Sequence, residues 1–81
     1  MWVVYIIETD RGKLYTGITN DLARRFNQHL TGKGAKYFRL DRPRRILFSK
    51  ECSDRSEASV WESKIKKLNR AHKLKLIQEA S

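Results

Sequence analysis

Trp2-Val3-Val4-Tyr5-Ile6-Ile7, then Thr9-Asp10-Arg11-Gly12, then Leu14-Tyr15-Thr16-Gly17-Ile18 is the stretch on which the fold turns. Its first run is β-branched and aromatic without alternation, which suits a strand covered on both faces and therefore a central one. The Thr9–Gly12 tetrapeptide is a turn signal, and Leu14 to Ile18 reads as the returning strand of a hairpin. Tyr5 and Tyr15 lie about equally far from that turn, so antiparallel pairing predicts them within roughly one rung of each other.

Beyond the hairpin, Asn20 is a candidate N-cap for a helix over Asp21 to Leu30, in which Leu22, Phe26 and Leu30 recur every fourth residue. Gly32-Lys33-Gly34 ends that helix, and a basic segment follows to Arg45, interrupted by the rigid Arg42-Pro43 step. Ile46-Leu47-Phe48 reads as a third strand. Asp54 with Glu57 three residues on is a capping box, opening a helix with Ala58, Trp61, Ile65 and Leu68 as its apolar stripe. Asn69 looks like the cap of a last helix from about Arg70 to Ile77. The pattern predicts an α+β fold, a small three-stranded antiparallel sheet flanked by helices, as one domain over residues 1–81.

At 81 residues the core is small, since a chain of this size buries only about 60% of its unfolded surface. Eighteen Lys and Arg against nine Asp and Glu leave a formal charge of +9, which implies a polyanionic partner. Cys52 is the lone cysteine, so no internal disulfide forms, and it is expected to pack as a small hydrophobe in a reducing compartment. The apolar start lacks a basic leader and runs into Glu8 and Asp10, so no signal peptide is expected. No stretch is long enough to span a bilayer, and a cytoplasmic protein that touches no membrane is the expectation, with the oligomeric state left open and a monomer assumed.

Helical phase, at 100° per residue, puts Arg24 opposite the Leu22-Phe26-Leu30 stripe. Arg25 and His29 fall about 100° and 60° from its centre on one side, so a groove against the sheet would contain both. Alone, they also read as a surface cation and a packing histidine. Glu62 lies about 80° from the centre of the second stripe. Its plain role there is an i to i+4 ion pair with Lys66. Tyr5 and Tyr15 suit amphipathic strand positions, ring inside and hydroxyl at the surface.

Taken in order, Tyr5, Tyr15-Thr16-Gly17, Arg25, His29 and Glu62 resemble the GIY-YIG nuclease family. Val3-Val4-Tyr5 and Tyr15-Thr16-Gly17 stand at its two name-giving tripeptides, with Arg25 eight and His29 twelve residues after Gly17. The stretch from Leu14 to Tyr37, including Gly-Lys-Gly-Ala-Lys-Tyr, is similar to the short stand-alone bacterial members. The resemblance implies hydrolysis of nucleic acid phosphodiesters with one divalent ion, Mg²⁺ or Mn²⁺, held by Glu62. It implies Tyr5 as general base or water-positioning phenol, Tyr15 and His29 as aids to proton transfer and phosphate orientation, and Arg25 as transition-state stabiliser. Arg25 suits that role because its planar fork meets two phosphate oxygens. Gly17 would be kept small so that substrate or the helix start can approach. Two positions depart from the pattern: Val3 replaces the first glycine, and Leu74 stands where many family members carry an asparagine.

Lys33, Lys36, Tyr37, Phe38, Arg39, Arg42, Arg44 and Arg45 mix cations with aromatics, which suits neutralisation of a backbone plus stacking on an unpaired base. His72, with Lys73 and Lys75, reads as solvated. With no base-reading module evident, recognition of nucleic acid shape, DNA in particular, is expected. The competing readings are a non-catalytic basic binding module and the nuclease subunit of a repair complex.

Overall fold

The computed structural model describes residues 1–33 and 36–80. Its elements run β1 (Trp2–Thr9), β2 (Leu14–Thr19), α1 (Leu22–Leu30), a 3-10 turn (Lys36–Arg39), β3 (Pro43–Cys52), α2 (Arg55–Lys66) and α3 (Arg70–Ala80). The antiparallel sheet has the order β2-β1-β3, so β1 is central, as its unbroken apolar run requires.

The hairpin closes where the Thr9 amide donates to the Lys13 carbonyl at 2.9 Å, with Gly12 at a φ of +79°. That closure pairs Tyr5 with Gly17 and Ile7 with Tyr15. The two tyrosines are therefore diagonal neighbours on one face, a step further apart than equal distance from the turn suggests, because Thr9 and Lys13 themselves form the last pair. β3 is much longer than the Ile46–Phe48 triplet. Its register shifts opposite Ile6/Ile7 and Glu8/Thr9, and Arg44, Arg45, Ser49, Lys50 and Glu51 are exposed, as an edge strand allows.

Alternation along β1 divides the interior. Val4 and Ile6 face α2, where Phe48, Cys52, Ala58 and Ile65 complete an apolar core with Trp61, Leu76 and Ile77 packed against it. Tyr5 and Ile7 face the other way, onto Phe38, Leu22, Phe26 and Tyr15. Cys52 is buried in the α2-side core as a small hydrophobe.

Helix ends follow the sequence with local corrections. Asp21, not Asn20, caps α1: its Oδ1 accepts from the Arg24 amide at 3.1 Å, while Thr19 Oγ1 holds the Asp21 amide at 3.1 Å. α1 ends in a Schellman arrangement, Lys33 N donating to Gln28 O and Gly32, at φ +78°, donating to His29 O. Gly34 of the expected terminator lies outside the described residues. The stripe is also rotated: Leu30 is 38% exposed and His29 only 1%. Phe38 explains the rotation, because the 3-10 turn brings its ring over the imidazole, with centroids 4.4 Å apart.

Asp54 caps α2 through the Glu57 amide at 2.8 Å, and Glu57 reaches back to the Ser53 amide and hydroxyl. Asn69 caps α3 through the His72 amide at 2.9 Å. Buried Asp41, which no pattern singled out, accepts from Thr9 Oγ1 at 2.6 Å and from the Arg11 amide at 3.1 Å. It ties the segment before β3 to the hairpin turn.

Candidate active site

The non-aliphatic face of the sheet gathers four of the five residues singled out for chemistry. Tyr5, on the central strand, is 1% exposed, and its ring crosses the neighbouring strand at Gly17. A Cβ at position 17 would lie 2.5 Å from Tyr5 Oη and 2.7 Å from its Cζ. The Tyr5 ring thus by itself requires a small residue at position 17.

The Tyr5 hydroxyl reaches His29 Nε2 on α1 at 3.1 Å, a hydrogen bond inside the protein between residues 24 apart in sequence. Tyr15 stands beside both, edge-on to His29 with centroids 5.6 Å apart and to Phe38 at 4.7 Å. Phe38, expected to stack on a base, is instead buried as the packing floor of this cluster. No periodicity marked it, because the turn that carries it is only four residues long.

Burial pushes the Tyr5 phenol up to about 12, with Tyr15 adding to the rise and Arg25 opposing it. Burial also lowers His29 to about 4, assisted by the Arg25 charge. Both rings are therefore neutral near pH 7. Arg25 sits one helical turn before His29, half-buried, and donates from Nη1 to Gln28 Oε1 at 3.2 Å. It lines an open cleft of about 320 Å³ with Trp2, Ile18, Arg24 and Gln28. One guanidinium thus connects the buried pair to a place where a phosphate can enter. Arg24, expected to face away, borders the same cleft while remaining exposed.

Glu62 on α2 is close enough for its charge to act on Tyr5, where it is the smallest contributor to the raised value. It also makes the plain contact read from its spacing, an i to i+4 pair with Lys66 at 3.3 Å. Among the described residues, no three His, Cys, Asp or Glu side chains converge as a metal cluster. This donor set does not suit a closed zinc site. One partly exposed carboxylate does suit Mg²⁺, which commonly takes one or two protein oxygens and keeps its waters.

The basic segment is not one patch. Lys33, Lys36, Arg39, Arg42 and Arg44 are exposed and Tyr37 is 41% exposed, whereas Arg45 is paired with Glu8 at 2.8 Å. Leu74, at the family's asparagine position, lies on α3 and is 41% exposed.

The family model described as the GIY-YIG catalytic domain matches residues 1–75. The chain belongs to that family. Within it, the chain is 46% identical to a UPF0213 protein of Photorhabdus laumondii over 94% of its own length and 73% of that protein. A UPF0213 protein of Pectobacterium carotovorum is also 46% identical, over 96% and 79% of the two chains. The solution NMR structure of a UPF0213 protein from Bacillus halodurans superposes with a TM-score of 0.62 at 40% identity, covering 96% of this chain and 84% of that one. No described helix is long and apolar enough to cross a membrane.

Proposed function

We propose that this chain is a metal-dependent endonuclease that hydrolyses phosphodiester bonds of DNA, selecting substrates by structure. Membership of a nuclease superfamily supports the reaction class. The observation that carries the reading is the Tyr5–His29 hydrogen bond with Arg25 beside it, a cluster with no evident packing purpose that a core of Leu and Ile would not serve better.

Each residue has its share of the work. Tyr5 positions the attacking water and takes part in moving its proton, with His29 holding the phenol in place through Nε2. Arg25 offers its fork to the phosphate oxygens in the adjoining cleft and stabilises the charge that develops on them. Tyr15 packs against His29 and fixes the edge of the cluster. Glu62 holds the divalent ion, Mg²⁺ or Mn²⁺, which when bound supplies charge compensation at the phosphate. The exposed cations of Lys33 to Arg44 neutralise backbone outside the reacting centre, in keeping with the +9 charge. The whole of residues 1–81 is read as one domain acting in the cytoplasm.

A second reading is a basic binding module without cleavage. Leu74 in place of the family's asparagine and a phenol pushed up to about 12 favour it. The deciding experiment incubates pure protein with branched, nicked, single-stranded and duplex DNA, with and without Mg²⁺ or Mn²⁺. Cleavage that needs the metal and vanishes in both Arg25→Ala and Glu62→Ala supports the nuclease. Tight binding with no cleavage of any substrate by the unaltered protein overturns it in favour of the binding module.

A further inference from the structure

On the hairpin side of the tyrosine cluster lies a second cleft, of about 270 Å³, lined by Lys13, Leu14, Tyr37, Arg70 and Lys73. Three separate elements supply it. Lys13 closes the hairpin, Tyr37 rides on the 3-10 turn, and Arg70 and Lys73 are three residues apart at the start of α3. Arg70 is fixed there by a 2.7 Å hydrogen bond from Nη1 to the Gly12 carbonyl. Among the described residues the ion pairs are Glu8–Arg45 and Glu62–Lys66, so the three cations of this cleft have no carboxylate partner.

Tyr37 is unusual in being both exposed and held. It is 41% exposed, yet its ring meets Phe38 edge-on at 5.5 Å and Tyr15 at 5.5 Å. Its ring therefore packs on Tyr15, at the edge of the tyrosine–histidine cluster. Uncompensated cations around an aromatic platform are what a nucleotide requires, charge for the phosphate and a π-face for the base.

We propose that this cleft is a subsite for one unpaired nucleotide of the substrate strand, next to the scissile phosphate, with its base on Tyr37 and its phosphate among Lys13, Arg70 and Lys73. The inference rests on the nuclease reading for what the adjoining cluster does, but the subsite itself is a matter of binding. A base inside a duplex already stacks on both neighbours and is not available to Tyr37. The protein therefore favours a substrate with an unpaired arm at the cut over a flush duplex. The sequence hid this site, because Lys13, Arg70 and Lys73 are separated by up to 60 positions and Lys73 reads as a solvated neighbour of His72.

The test uses Glu62→Ala protein, so that binding is read without cleavage. Fluorescence anisotropy compares a labelled duplex carrying an unpaired oligothymidine arm with the same duplex made flush. Tyr37→Ala in this background should lose roughly fivefold or more in affinity for the arm-bearing DNA, with little change for flush DNA, and Tyr37→Phe should keep the preference. Lys73→Ala should lower the log–log salt slope on the arm-bearing DNA by about 0.7. Unchanged affinities and slopes for both Tyr37→Ala and Lys73→Ala, in proteins with unaltered circular dichroism, overturn the subsite. If the arm preference depends on Tyr37 while the unaltered protein cleaves nothing, the nuclease reading falls and the subsite stands.

Discussion

Val4 and Ile6 on one face of the central strand, and Tyr5 and Ile7 on the other, are one residue apart in sequence and belong to different kinds of interior. The α2 face is packed mainly by apolar side chains, Val4, Ile6, Phe48, Ala58 and Ile65 among them. The α1 face buries a phenol and an imidazole that are hydrogen-bonded to each other at 3.1 Å. The first arrangement gives stability by area alone. The second is costly in solvation and sets the charge states, holding Tyr5 up at about 12 and His29 down at about 4. Alternation along β1 thus separates an apolar interior from the one that holds the tyrosine–histidine pair.

Substitutions at neighbouring residues of β1 test this division most directly. Tyr5→Phe keeps the ring over Gly17 and removes one oxygen, so binding should change little while the cleavage rate falls by roughly 10²–10⁴. Ile6→Val, one position on, should do the reverse. It should cost about 0.5–1.5 kcal/mol of stability, seen as a lower thermal midpoint, and leave the rate at low temperature intact. Equal behaviour of the two variants would end the contrast between the faces.

Arg25 and Arg24 extend the comparison to α1, where both border one cleft but Arg25 alone touches the electrostatics of the buried pair. Arg25→Ala should lower the rate by roughly 10²–10³, as expected for loss of a transition-state donor. Arg24→Ala should weaken substrate binding and leave the maximal rate nearly unchanged, which steady-state kinetics separates.

His29 makes the electrostatic cost measurable. The folded protein holds its imidazole at about 4 against an ordinary 6.5. The unfolded chain therefore takes up the proton first, and stability present above pH 6.5 is lost as pH falls towards 4, by up to about 3 kcal/mol. Urea titrations of the unaltered protein and of His29→Gln across this window should diverge, the variant showing the flatter dependence. The cleavage rate should show no inflection at 6.5 from this residue.

These contrasts also mark what the sequence could carry. The central strand, the hairpin, both caps of the α2 and α3 helices and the placement of Arg25 beside His29 followed from patterns of local period or spacing, and local patterns survive folding. The extent of β3 did not, because an edge strand with exposed Arg44, Arg45, Ser49 and Lys50 has no alternation to read. Phe38 was misread and Asp41 missed for another reason: their partners, His29 and Thr9, are distant in sequence and only the closed fold makes them neighbours. Tyr15 was placed too near Tyr5, since register depends on which residues close the turn.

Gly17 tests the passage that lets the two interiors share one thin sheet. Gly17→Ala sets a methyl against a ring that is itself 1% exposed and cannot swing clear. Overpacking of this kind costs typically about 1–3 kcal/mol. The displaced Tyr5 hydroxyl should lose its bond to His29, so activity should fall further than stability. A fully active Gly17→Ala protein would show that the phenol's position is not fixed by the facing strand.

A weaker effect separates cations that face substrate from those already engaged by the fold. Arg39 is exposed with no ion-pair partner among the described residues, whereas Arg45 Nε sits 2.8 Å from Glu8 Oε1, closing β1 against β3. If backbone neutralisation draws on free cations, Arg39→Ala should lower the log–log salt slope of duplex binding by about 0.9, the share of one phosphate that releases its counterion. Arg45→Ala should lower it by much less, because its charge is already compensated in the free protein. The same substitution should cost well under about 1 kcal/mol of stability, as an exposed pair does. Glu8→Gln then completes the argument, since it releases Arg45 and should raise the slope slightly above that of the unaltered protein. A decrease in Arg45→Ala as large as that in Arg39→Ala, with no rise in Glu8→Gln, would mean that the ion pair opens on binding and that the edge strand β3 carries DNA as freely as the 3-10 turn.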